Sequence, residues 1–169
     1  DLRKTRYFIN AMYVGLGARF VWISNGTRRF WGMQWLSYLS SMFLLLFERK
    51  LHRIDMKING EHIQDTIMTV CIGSARGYGL TPSAVPYNGW LDVSVVYRPE
   101  LLQLIKELWL LVNGRLLNLK VVKPYRTHKV KINRVQNAAI SLDGRQLYYD
   151  ESSLDVRILP EALTLIIPK

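Results

Sequence analysis

Residues 54–60 read Ile-Asp-Met-Lys-Ile-Asn-Gly. Ile54, Met56 and Ile58 alternate with Asp55 and Lys57, the period-two pattern of a strand with one face in a core and the other in water. Asn59-Gly60 closes the run, and both residue types tolerate the positive φ angles of a two-residue hairpin turn. The signature returns further along. Val130 and Ile132 alternate with Lys129 and Lys131, Leu154, Val156 and Ile158 alternate with Asp155 and Arg157, and Asp143-Gly144 marks a second hairpin. The chain is therefore expected to be strand-dominated.

Two stretches depart from that period. Trp31 to Phe47 is the most apolar, yet Gln34, Ser37, Ser41 and Glu48 fall on one stripe at helical spacing, and Arg28, Arg29 and Arg49 flank it. It is short for a membrane span, which needs about 20 apolar residues, and a buried or lipid-contacting helix is expected. A second helix is expected from Pro99 to Asn113, with Pro in its first turn and Gly114 ending it. Glycines and prolines punctuate residues 73–90, which read as a long loop leading into a strand from Leu91 to Tyr97.

At 169 residues and 49% hydrophobic, the chain suits one domain, 1–169, with its own core. The balance of 23 Lys plus Arg against 13 Asp plus Glu, net +10, favours anionic partners: phosphates, acidic lipid surfaces or nucleic acid. Cys71 is alone in an apolar run, which excludes an internal disulfide and a Cys-rich metal site and fits a buried thiol in a reducing compartment. The charged residues 1–6 lack a signal-peptide pattern, so no secretion is expected.

Few motifs carry chemistry. His52, His62 and His128 have no Cys, Asp or Glu at zinc-ligand spacing. Gly77-Tyr78-Gly79 lacks the glycine-rich run and lysine of a phosphate-binding loop. Arg126, His128, Lys129, Lys131 and Arg134, with Tyr125, form the pattern of a basic strand carrying an aromatic platform, the basis of a less favoured nucleic-acid-binding reading.

Four segments in order resemble the C-terminal domain of the diacylglycerol kinase and sphingosine kinase superfamily. They are Tyr7-Phe8-Ile9-Asn10 through Gly15-Leu16-Gly17-Ala18; the helical stretch from Asn25 to Glu48; Leu80-Thr81-Pro82-Ser83-Ala84 leading to Asn88-Gly89-Trp90-Leu91-Asp92-Val93; and Ser141-Leu142-Asp143-Gly144-Arg145 followed by Leu154 to Pro160 and Ala162 to Pro168. The resemblance implies a β-sandwich-like lobe of the α+β class, the substrate side of a two-lobe lipid kinase. The N-terminal lobe, which binds ATP through a Gly-Gly-Asp-Gly-Thr motif, is absent from this chain. The activity implied for the two-lobe parent is ATP- and magnesium-dependent phosphorylation of a lipid hydroxyl, with diacylglycerol as the expected substrate, in the cytoplasm at the inner membrane surface. This chain alone would be inactive. The alternative within the family is a catalytically weakened, regulatory lipid-binding homologue.

Carried onto this sequence, the resemblance assigns Asp143, Gly144 and Arg145 to the catalytic motif. It assigns Asn10, Gly15, Gly17, Trp35, Met42 and Phe43 to substrate binding, and Asn88 with the Trp90 carbonyl to a metal loop. Trp31, Tyr38, Leu39 and Leu46 complete the candidate acyl-pocket stripe. Three positions depart from the family pattern. Arg145 stands where a catalytic Glu is usual, and an arginine cannot act as a general base because it keeps its proton; it can face phosphate instead. Asn88 replaces an Asp, which weakens a cation site. Gly17 stands where sphingosine kinases carry an acid for the lipid amine, which favours a neutral glycerolipid.

Overall fold

A computed structural model describes residues 5–19, 50–76, 80–86, 88–98, 121–147 and 153–162. The expected helices at 31–47 and 99–113, and with them Trp35, Met42 and Phe43, lie outside the described residues. The described chain forms β1 (Ala11–Gly15), β2 (His52–Ile58), β3 (Glu61–Ile67), β4 (Thr69–Gly73), β5 (Leu91–Val96), β6 (Val122–Thr127), β7 (Lys129–Val135), β8 (Ile140–Leu142), β9 (Arg145–Leu147) and β10 (Leu154–Arg157).

Two antiparallel sheets result, one in the order β6-β5-β4-β1-β8-β9 and the other β10-β7-β2-β3. Their inner faces share one core, with Met12, Val14, Val70, Ile72, Val93 and Val95 from the first against Ile54, Met56, Ile58, Val130 and Ile132 from the second. The domain is a mostly β, sandwich-like fold.

The alternation read in the sequence belongs to the four-stranded sheet. Along β2 and β7 the inward residues are buried and their neighbours reach solvent. In the larger sheet, β1, β4 and β5 are buried at every position, so both faces are covered and no alternation survives. Asn59 (φ 51°) with Gly60 (φ 82°), and Asp143 (φ 45°) with Gly144 (φ 84°), make two-residue hairpins with positive φ at both positions, as type I′ turns require. Asn133 is an extra residue in β7: Arg134 opposes Asp55 and Ile132 opposes Met56, and the Asn133 amide donates to Asp55 Oδ1 at 2.6 Å.

One expectation is corrected. The basic run 125–134 is not a single strand. It turns at His128, so that Tyr125 and Arg126 end β6 in one sheet while Lys129, Lys131 and Arg134 belong to β7 in the other. The aromatic platform and the lysines thus lie on different sheets. Thr127 drives the turn, its hydroxyl donating to the Lys129 carbonyl at 2.9 Å and accepting the Lys129 N–H at 3.2 Å.

His52 opens β2 only 4% exposed. Burial lowers its pKa, outweighing the opposing pull of the backbone at Gln136 and Asn137. The unfolded chain therefore takes up a proton below about pH 6.5 that the folded chain resists, so stability should fall as pH drops through that value. The lowered pKa values of Asp55, held by Asn133 and then His62, and of Glu61, held by Lys123, act in a lower window, as pH falls through the carboxylate range. Urea denaturation at pH 8 and pH 5.5 should thus separate wild type from His52→Gln: the variant is less stable at pH 8 and shows the flatter pH dependence.

Candidate functional site

Strand direction sorts the candidate residues into two groups. Ala11 pairs with Gly73, Gly73 with Asp92, Asp92 with Arg126, and Leu142 with Arg145, so β1, β5 and β9 begin where β4, β6 and β8 end. Asn10, Asn88, Trp90, Asp143, Gly144 and Arg145 therefore gather at one end of the larger sheet. Gly15 and Gly17 lie at the opposite end of β1.

Asp143 organises the first end. Its Oδ2 accepts the Ile9 N–H at 2.7 Å, and its Oδ1 accepts those of Asn10 at 2.8 Å and Ala11 at 3.0 Å, while its own N–H donates to the Ala11 carbonyl at 3.0 Å. Both carboxylate oxygens are committed to holding the segment that enters β1. The Asn10 carbonyl in turn accepts the N–H groups of Ser74 and Ala75, which ties the exit of β4 to the same point. Asp143 is thus a positioning residue, and Arg145, across the turn, is exposed and forms no ion pair with any other described residue. Arg76, just past β4, is likewise exposed and forms no ion pair among the described residues.

The metal-loop candidates form an Asx turn. Asn88 Oδ1 accepts the Trp90 N–H at 2.9 Å, and the Asn88 N–H donates to the Val85 carbonyl at 3.3 Å. The Trp90 ring packs on His128 with centroids 3.7 Å apart. Among the described residues no three of His, Cys, Asp and Glu stand together as a metal site. Of the two candidate ligands, the Asn88 side-chain oxygen already accepts the Trp90 N–H and the Trp90 carbonyl is the other, and these two alone fall short of the roughly six to eight oxygens that a calcium-like cation takes.

Beside the loop, Asp92 and Arg126 form an ion pair, Nε to Oδ1 at 2.8 Å and Nη2 to Oδ2 at 3.3 Å. Asp92 is 8% exposed, and its carboxylate holds the Arg126 guanidinium firmly protonated. The pair borders a cavity of about 250 Å³ whose walls include Thr81, Ser83, Ser94 and Tyr125. Asp92 had one signal in the sequence, the one acid in the run Leu91–Val96, which is apolar at every other position but Ser94.

The two glycines at the far end serve packing. Gly15 has φ +86°, and a Cβ there would sit 2.7 Å from the Met68 carbonyl oxygen. A Cβ on Gly17 would sit 2.7 Å from Thr69 Oγ1. That hydroxyl accepts the Gly17 N–H at 3.0 Å and donates to the Val14 carbonyl at 2.8 Å, closing the turn after β1. Thr69 gave no signal in the sequence. Cys71 is fully buried and burial pushes its thiol up to about 12, as a structural cysteine requires.

Exposed large apolar side chains concentrate at the end that Asp143 organises. Among the described residues they are Tyr7, Ile9, Val85, Trp90 and Leu159. Ile9 is held by Asp143 and Tyr7 lies two residues before it, Val85 and Trp90 lie in the loop before β5, and Leu159 follows Ile158, whose N–H donates to the His128 carbonyl.

Comparison with known proteins agrees with this architecture. The family described as the YegS C-terminal NAD kinase beta sandwich-like domain matches residues 10–167. Three structures of Bacillus anthracis str. Sterne proteins assigned as diacylglycerol kinases share the fold. One has a TM-score of 0.56 at 16% identity, covering 89% of this chain and 48% of that one. A second has 0.58 at 12%, covering 89% and 50%, and a third 0.50 at 13%, covering 89% and 44%. The chain thus spans about half the length of the solved structures it matches. No curated protein sequence matches it.

Proposed function

Because this chain belongs to the YegS C-terminal NAD kinase beta sandwich-like domain family, we propose that it is the substrate-side lobe of an ATP-dependent lipid kinase, and that its companion, ATP-binding lobe docks on the sandwich end organised by Asp143. The observation that carries this reading is the concentration there, among the described residues, of exposed apolar side chains, Tyr7, Ile9, Val85, Trp90 and Leu159, together with the exposed cations Arg76 and Arg145, which pair with no described carboxylate. A lone domain has no reason to gather so much apolar surface at one end, whereas a lobe that closes on another does.

In this reading ATP, with magnesium, reaches the cleft on the companion lobe and supplies the phosphoryl group. The lipid is diacylglycerol. Asp143 holds the 9–11 segment and the β8–β9 turn in fixed relation, so that Arg145 projects from a rigid hairpin toward the phosphates. Phosphoryl transfer depends mainly on positioning and on offsetting charge, which a fixed guanidinium supplies. Arg145 does not remove the hydroxyl proton; that step falls to a base outside the described residues of this chain. The apolar rim excludes water from the closed cleft. The working place of the parent is the cytoplasmic surface of a membrane, where its substrate lies.

A nucleic-acid partner is the less favoured reading, because part of the basic set is engaged within the fold. Arg126 is bound to Asp92, Lys129 to Asp155 at 2.9 Å, and the Tyr125 hydroxyl and Lys123 meet Glu61. Among the described residues, Tyr125 lies on β6 in one sheet and the lysines on β7 in the other.

The test is substrate binding by this chain. A short-chain diacylglycerol should raise its melting temperature by binding the folded state, while magnesium-ATP alone should not. A shift with ATP and none with diacylglycerol would overturn the assignment of this lobe to the lipid.

A further inference from the structure

The solvent face of the four-stranded sheet carries a charge pattern that folding alone does not favour. In strand register, Lys57 of β2 stands directly opposite Lys131 of β7, and Lys129 of β7 opposite Arg157 of β10. Like charges facing each other across a ladder destabilise it. Arg53 and Arg134 extend the same face, giving six cations against two carboxylates, Asp55 and Asp155. Both carboxylates are engaged, Asp55 by Asn133 and His62 and Asp155 by Lys129. Arg53, Lys57, Lys131, Arg134 and Arg157 are exposed, and among the described residues none has a carboxylate within ion-pair distance.

We propose that this face is an electrostatic docking surface for an anionic phospholipid bilayer. A broad sheet face bearing cations on adjacent strands presents them in one layer, which suits a laterally continuous plane of phosphates. None of the exposed large apolar side chains among the described residues lies on it, so the surface neither inserts into acyl chains nor stacks on bases. Adsorption by charge alone fits that composition. The face also adjoins the candidate site: Arg157 and Lys129 pair beside His128, on which Trp90 packs, and Leu159 follows two residues after Arg157. A bilayer held there would bring lipid to the rim of the cleft. The choice of a bilayer over another polyanion rests partly on the lipid-kinase reading.

The test uses the 169-residue chain and vesicles that contain neither diacylglycerol nor ATP, so that failure of the surface and failure of the cleft are told apart. Wild type should sediment with phosphatidylcholine vesicles containing phosphatidylglycerol, remain free of pure phosphatidylcholine, and be released as salt rises. Lys57→Gln/Lys131→Gln/Arg134→Gln/Arg157→Gln should lower the partition coefficient by roughly 100-fold or more, since each cation near an anionic surface contributes separately. Its melting temperature should stay close to wild type, because the like-charge pairs Lys57–Lys131 and Lys129–Arg157 are removed together with the opposite-charge cross-strand pairs Lys131–Asp155 and Arg134–Asp55. Partition that is insensitive to salt in wild type would overturn the proposal. So would unchanged partition of the fourfold variant, or tighter binding to a single-stranded oligonucleotide than to the anionic vesicles.

Discussion

Replacing Asp143 with alanine should remove about 2–3 kcal/mol of folding stability, a large effect for one exposed turn residue. Three backbone N–H groups, of Ile9, Asn10 and Ala11, lose a charged acceptor at once. Those of Ile9 and Asn10 are exposed and recover water, so the loss is smaller than three full charge-assisted bonds. The part-buried Ala11 N–H is less able to do so. Alanine is also poorly suited to φ 45°, which Asp and Asn tolerate. Asp143→Asn keeps an oxygen for the Asn10 and Ala11 N–H groups and should cost about half as much. Chemical denaturation of the two variants measures both. A loss below about 0.5 kcal/mol in Asp143→Ala, the range of an ordinary surface change, would mean that the 9–11 segment is held by something else.

The second large effect is at Gly15. Alanine there takes on a left-handed backbone, φ +86°, costing roughly 1–2 kcal/mol, and puts a methyl 2.7 Å from the Met68 carbonyl oxygen. That carbonyl accepts the Leu16 N–H at 3.1 Å, so it cannot retreat without losing a bond. A total of about 3 kcal/mol or more is expected. Gly60→Ala is the control. Its φ is +82°, but nothing lies within 4 Å of the added carbon, so only the backbone cost of about 1 kcal/mol should appear. Equal losses at the two glycines would remove the close approach at Gly15 from the account.

These two sites also mark how far the sequence could be read. The hairpins at Asn59-Gly60 and Asp143-Gly144 were legible because turn chemistry is local: two residues fix the φ signs whatever surrounds them. The half-buried strands β2, β7 and β10 were legible because one face meets water. β1, β4 and β5 carry no such period, since both their faces are buried. Asp143 was readable as a turn residue but not as the clamp on residues 9–11, because its partners are 132 to 134 positions away. The Asp92–Arg126 pair and the Thr69 bridge to Gly17 likewise join residues 34 and 52 apart. The break at His128 was hidden because charged residues continue on both sides of it and only the Thr127 hydroxyl marks the turn. Gly15 and Gly17 drew attention through resemblance to a lipid kinase, and the structure accounts for both by packing.

The claim that the Asp143 end receives a companion lobe and works on lipid is tested most directly by phosphate transfer from ATP to diacylglycerol. The protein to assay is this chain joined to its ATP-binding lobe, with Ile9→Ser/Leu159→Ser as the variant. Ile9 is 61% and Leu159 52% exposed, so their loss should leave the melting temperature of this chain unchanged. The account predicts ATP-dependent formation of phosphatidic acid by the wild type and at least about a tenfold fall in the variant, as two anchors of an interface are removed. No transfer by the wild type, or full transfer by the variant, would contradict it.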